Sequence, residues 1–371
     1  MNEDKTCYLC LPTDPYNRYP IGYKRGPVIR RYRTIDAHAG GAPLRLIVEG
    51  FPSPRGATMH EKRAWAKSKA DPVRRALVLE PRGHADMTGA VLTEPVSGSA
   101  DAGVLFMHGG GYAPMCGHGI IAVTTIAVER GLVHPRHPGT IVFDTPAGIV
   151  RAVARMREPQ PAGRARAAAA SAPRVERVSC TGVPSFVLAP GVPIRIGARE
   201  LRVDVAFGGG FYAMVDVEAA GLGVVSDRLA DLRRLGREIA RAVEKAIDVT
   251  HPLDKQLRGI DGTVFTAPPG SEHADLRALS VFGDGAVDRS PNGAGLCAVM
   301  AVFDAMGLLA PGQVLRQEGP AGAVFTGMST GRTRVGDCDA ILPVIEGSAW
   351  ITGEHTFEVD DDDPLKRGFH F

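Results

Sequence analysis

Two short stretches place residues able to do chemistry at matching positions. "PMCGHG" presents Cys116 ahead of a Gly-x-Gly and an apolar run, and "SPNGAG" presents Asn292 ahead of another. Each run has helical spacing, so each tip residue falls at a predicted helix N-terminus. There several backbone N–H groups lack internal acceptors, and partial positive charge collects. The glycines strip side-chain bulk from those donors, so an anion can approach them directly. Two such ends facing each other would cradle one small carboxylate, with Cys116 and Asn292 flanking the carbon that bears it. A thiol at a helix N-terminus is biased towards thiolate, which can act as a base or a nucleophile. His118 shares the loop with Cys116 but has no evident part in relaying its proton. Asn292 neither takes nor gives a proton usefully. A Cys–His hydrolase needs a base brought from elsewhere in the fold, and no separate motif supplies one.

The elements that must hold these tips are legible in outline. "RYRTIDAHAGGAPLRLIVEG" reads as a strand hairpin turning at Gly-Gly, and "ADMTGAVLTEPV" with "AGVLFMHGGGY" reads as a second strand pair. Between them "TMHEKRAWAKSKADPVRRALVLEP" has helical spacing. "SDRLADLRRLGREIARAVEKAI" is a helix with Leu229, Leu232, Leu235, Ile239 and Val243 on one face and Ser226 or Asp227 as cap. Both tip loops lead into a helix closed by Gly, followed by strand-like runs, "TIVFDTPAG" and "AGAVFTGMS". This echo predicts two pseudo-equivalent halves. Cys297 lies five residues into the second helix, about 140° round from the tip, and is no substitute for a thiol there.

Composition narrows the classes. A chain of 371 residues exceeds one ordinary core, so two packed lobes are expected. A formal net charge of +2 gives no reason to expect nucleic acid or an acidic membrane as partner. The apolar runs are too short to span a bilayer, and the N-terminal stretch lacks a signal-peptide core. A cytoplasmic location is therefore expected. Six cysteines in this length are no disulfide framework, and Cys7 with Cys10 does not complete a zinc site. Cys180, Cys297 and Cys338 read as inert core thiols. Residues 1–30 are expected to be a disordered extension, and 157–173 a low-complexity insertion.

From about residue 33 onward the chain resembles the proline racemase superfamily. The carriers are "MCGHG", "DRSPNGAG", "TPAG", "VPSFV", "AFGGGFYA" and "ITGEHTFEVDDDDPLKRGF". The resemblance implies an α/β, diaminopimelate-epimerase-like fold of two pseudo-symmetric lobes, each a central helix wrapped by strands. It implies a first lobe over 31–195, a second over 196–330, and a return segment, 331–371, completing the first. It also implies a cofactor-free, metal-free site between the lobes for a cyclic imino acid, and a homodimer is reasonable on the same ground. Cys116 matches the first catalytic cysteine, and Asn292 stands where racemases and epimerases carry the second. Amides around Gly117, His118, Gly293 and Ala294 would hold the substrate carboxylate, with Asp288 and His118 near the ring nitrogen.

Members with two cysteines invert the α-carbon. The trans-3-hydroxy-L-proline dehydratases keep the first and carry Thr second, because elimination needs one base. "PRGHADMTGAVLTEP" and "GVLFMHGGGY" look like the dehydratase branch, which makes His84 and Asp86 candidates for the departing hydroxyl. The expectation is a dehydratase of trans-3-hydroxy-L-proline. The alternatives are a 4-hydroxyproline epimerase or proline racemase, and a catalytically weak imino-acid-binding homologue. Two departures stand out: Asn292 is not Thr, and "RQEGPAGAVFTG" differs from the family's usual Glu-Ser and Gly-Ser.

Overall fold

The computed structural model describes residues 28–158, 173–221 and 228–370, and within them the chain runs through one series of elements twice. The first series opens with the antiparallel hairpin β1 (Ile29–Ala39) and β2 (Ala42–Glu49), which turns on two positive-φ glycines, Gly40 and Gly41. Helices α1 (Met59–Trp65) and α2 (Asp71–Val78), joined by a π-helical turn, carry the chain to β3 (Thr88–Thr93), parallel to β2. β4 (Ala102–His108) returns antiparallel to β3 and turns into the short β5 (Gly111–Ala113). Then come α3 (Gly117–Arg130), β6 (Thr140–Thr145) parallel to β4, and β7 (Gly148–Met156) antiparallel to β6. β8 (Val175–Thr181) adds to β7.

β9 (Ser185–Ile196) crosses to the second series by pairing with β10 (Arg199–Phe207). The relations then repeat. β10 pairs antiparallel with β11 (Phe211–Asp216), and α4 (Leu229–Ala246) leads to β12 (Gly262–Ala267), parallel to β11. β13 (Leu276–Phe282) turns into β14 (Val287–Asp288), and α5 (Gly293–Ala305) follows. β15 (Val314–Glu318) lies parallel to β13, and β16 (Val324–Val335) antiparallel to β15. β17 (Cys338–Gly347) joins β16 to β8 and to the start of β9. β18 (Ala349–Asp360) crosses back and pairs with β1 along its whole length.

The result is the diaminopimelate-epimerase-like architecture, two pseudo-symmetric lobes wrapped round central helices. One detail of the sequence echo shifts. "TIVFDT" is matched in the second half by β15, "VLRQE", because β6 runs parallel to β4 as β15 does to β13; β16 is the counterpart of β7.

The two central helices show why strands surround them. Every residue of α3 from Gly117 to Ala127 and of α5 from Gly293 to Val302 is buried. A helix apolar all round has no face for water and must be enclosed. Both helices belong to one hydrophobic core, which includes Ile120, Val123 and Ile126 of α3 and Leu296, Val299 and Met300 of α5. By contrast α4 buries only Leu232, Leu235, Ile239 and Val243 with their small neighbours, against a second core. The proposed caps of α4, Ser226 and Asp227, lie outside the described residues, as do nearly all of the N-terminal extension and of the 157–173 insertion. No described helix is long and apolar enough to cross a membrane.

The helices approach most closely at their first residues. A Cβ on Gly117 would stand 2.5 Å from the Gly293 Cα and 2.7 Å from the Ala294 nitrogen. Replacing Gly117 by Ala is therefore expected to destabilise the chain by about 1–3 kcal/mol, read as a lower urea midpoint at unchanged slope. At Gly98 an added Cβ meets nothing within 4 Å, so the same change there should leave the midpoint in place.

Candidate active site

Cys116 precedes α3 in extended conformation, with φ −145° and ψ 109°, and makes no capping bond. Its thiol is half-buried and faces the cavity between the helix ends. The amides of Gly117 and His118 begin α3 and those of Gly293 and Ala294 begin α5. First-turn amides have no acceptor inside their own helix. Gly117 and Gly293 nearly touch, so the two first turns lie side by side.

Asn292 is treated differently by the fold. It takes a positive φ of 59°, and its Oδ1 accepts from the Gly295 N–H at 2.9 Å. Its Nδ2 donates to Ser280 Oγ on β13 at 2.8 Å. An Asn tolerates this backbone and caps a helix well. The amide is thus consumed as a cap and a strap to β13, and it has no proton to exchange.

His118 and Asp288 meet under the thiol. Cys116 Sγ lies 3.5 Å from His118 Nε2, and His118 Nδ1 lies 3.1 Å from Asp288 Oδ2. Both side chains are buried, at 3% and 0% exposure, so neither is screened by solvent. Burial opposes a charge on His118, but the neighbouring Cys116 and Asp288 outweigh it and hold its pKa well above the ordinary histidine value. His118 therefore touches the thiol directly, which its spacing in the sequence did not reveal. Asp288 is held in turn by Ser290, whose N–H and Oγ both donate to Oδ1, and Ser290 Oγ accepts from the Asn292 N–H.

His84 and Asp86 are not brought into this cavity. They line a separate cleft beside α4. Asp86 Oδ1 accepts from the Val287 N–H at 2.9 Å, and Oδ2 accepts from Arg233 at 2.8 Å. It pins β14 and α4 to the first half and is not free for a ligand. His84 is exposed, with Nδ1 against the Ala85 carbonyl. The expectation that this pair reaches a substrate hydroxyl is corrected by these contacts.

Four lining groups escaped the sequence reading: His108, Tyr212, Asp261 and the apolar wall of Phe106, Met115 and Phe282. Burial pushes the Tyr212 phenol well above its ordinary pKa, so it stays neutral despite the Asn292 amide beside it. Burial likewise pushes Asp261 up to about 6, partly offset by the Phe211 N–H that it accepts at 2.9 Å. Tyr212 alternates with Phe211 and Ala213, which face the α4 core. That alternation was visible in "GGGFYAM", but which face met the site depended on how β11 was placed. Among the described residues no group of three or more His, Cys, Asp or Glu is arranged to hold a metal ion.

A thiol at one helix end, an amide cap at the other and a buried His–Asp pair thus lie together between two similar lobes. The chain belongs to the proline racemase family, whose pattern it matches over residues 34–370. It is 41% identical to a trans-3-hydroxy-L-proline dehydratase of Bacillus cereus, over 92% of this chain and 98% of that one. A proline racemase of Clostridioides difficile is 36% identical over the same shares. Among solved structures it is similar to a hydroxyproline epimerase from Agrobacterium vitis with bound trans-4-hydroxy-L-proline. The TM-score is 0.83 at 29% identity, covering 92% of this chain and 95% of that one.

The His118 contacts set a pH signature. Its folded pKa is raised, so its stabilising contribution is complete below the unfolded value of 6.5 and is lost as pH rises through the higher folded value. Asp288→Asn keeps an acceptor for Ser290 but removes the charge facing His118. It should cost about 2 kcal/mol near pH 6, with the gap to the parent closing at alkaline pH in denaturant titrations.

Proposed function

We propose that this protein is a hydro-lyase that removes water from trans-3-hydroxy-L-proline without a cofactor. The carrying observation is the inequality of the two helix ends: a thiol on one, and on the other an amide whose hydrogen bonds are spent on Gly295 and Ser280. The dehydratase relative at 41% identity supports the same reading.

The substrate carboxylate sits against the amides of Gly117, His118, Gly293 and Ala294, and the ring ammonium faces Asp288. Cys116 thiolate takes the α-proton. The charge that develops on the carboxylate is met by amides already aimed at it, which lowers the barrier without reorganisation. The electron pair forms the C2–C3 double bond, the C3–O bond breaks, and the oxygen leaves as water once protonated. The enamine, Δ2-pyrroline-2-carboxylate, then tautomerises to the Δ1 imine.

In this substrate the α-hydrogen and the 3-hydroxyl project from the same face of the ring, so one equipped face is enough. Inversion differs, because it needs a proton returned from the opposite face. Asn292 has none to give, which sets the epimerase and racemase reading second.

The test is product analysis with the purified protein. Pyrroline-2-carboxylate is expected from trans-3-hydroxy-L-proline, and its absence across neutral pH defeats the proposal. Cys116→Ser should lower kcat by about 10²-fold or more, the share carried by a positioned base. Asn292→Thr should keep elimination. Asn292→Cys should gain α-inversion of proline, followed by optical rotation with deuterium uptake from heavy water.

A further inference from the structure

Elimination leaves one step without an assigned group: hydroxide is a poor leaving group and needs a proton as the C3–O bond breaks. Because the hydroxyl shares a face with the α-hydrogen, the donor belongs on the Cys116 side of the ring. His118 is engaged with Cys116 and Asp288, and His84 and Asp86 lie in another cleft. Tyr212 and Asp261 belong to the half that carries Asn292, and Tyr212 stands beside that amide.

One group remains that has both the chemistry and the place. His108 ends β4 in Cys116's own half and lines the same cavity. Its Nδ1 lies 2.8 Å from Asp284 Oδ2, an oxygen that also accepts from the Gly110 N–H at 2.9 Å. Asp284 Oδ1 accepts from the Ala286 N–H. Burial works against charge on Asp284, but His108 and these N–H groups outweigh it and hold its carboxyl below the usual range. The ionised carboxylate on Nδ1 orients the ring, and Nε2 is not part of that contact.

We propose that His108 is the general acid that protonates the departing hydroxyl, with Asp284 as its positioning residue; this rests on the dehydratase reading above. Nε2 gives its proton to the oxygen as the C3–O bond breaks, producing water and a neutral imidazole. The thiol formed on Cys116 returns its proton, by way of solvent, to the imidazole, and both groups are reset. Asp284 comes from the β13–β14 turn, the counterpart of the β4–β5 turn that follows His108. The acid is therefore assembled only where the two halves meet.

The experiment compares two leaving groups on one ring. Trans-3-fluoro-L-proline eliminates fluoride, which needs no full proton transfer. In His108→Gln, kcat for trans-3-hydroxy-L-proline should fall by about 10²–10⁴-fold while that for the fluoro analogue falls by less than about threefold. Asp284→Asn should show the same bias with a smaller loss. Equal losses on both rings would mean a merely structural histidine, and no loss on the hydroxylated ring would mean another donor; either overturns the proposal. If the parent protein itself releases no water from the hydroxylated ring, the dehydratase reading fails, and this one with it.

Discussion

The contact on which the rest of the site depends is the near-collision of two helix N-termini at Gly117 and Gly293. Each end carries about half an elementary positive charge and a set of donors with no acceptor of their own. Bringing two such ends together is unfavourable unless negative charge lies between or beside them. The chain places Asp288 and Cys116 at the junction, and a bound carboxylate would complete the balance. The core rewards the same placement. α3 and α5 share one hydrophobic cluster, so their burial drives together the ends that electrostatics alone would separate.

On this symmetric frame the side chains are deliberately unequal. The first mount presents a thiol with no capping duty, half-buried and 3.5 Å from His118. The second presents an amide at positive φ, tied to its own helix and to β13. Cys and Asn differ little in size, yet one can carry a proton and the other cannot. Cys297 does not make up the difference. It is buried in the shared core, its Sγ would lie 3.0 Å from a Cβ on Gly182, and burial pushes its thiol up to about 12.

How much of this was legible beforehand follows from the range of each interaction. The helices, the first hairpin and the doubling of the chain rest on local periodicity and short turns, and the sequence carries those openly. The two tips were legible for the same reason, since a Gly-x-Gly before an apolar run is a local signal. His84 and Asp86 misled because their neighbourhood was right and their direction was not. Asp86 turns to Arg233 and the Val287 N–H, partners far along the chain whose approach no local pattern records. His118 was seen as a neighbour of Cys116, but its second partner, Asp288, arrives from the other half. Tyr212 and His108 sit on strands whose facing is set by register, so alternation alone could not name them.

A pseudo-symmetric scaffold with two equivalent mounts suits a reaction with two equivalent faces, which is inversion. Elimination from a ring whose hydrogen and leaving group share a face makes no such demand. On the elimination proposed above, the second mount would be released from proton transfer and would need only to close its helix. Asn292 is held by hydrogen bonds inside the protein to Gly295, Ser280 and Leu296 and by the one from its own N–H to Ser290. Ser290 is also the residue that fixes Asp288. Asn292 is therefore tied, through Ser290, to the residue whose carboxylate meets His118. Its place at the tip is explained by that support as well as by the missing proton.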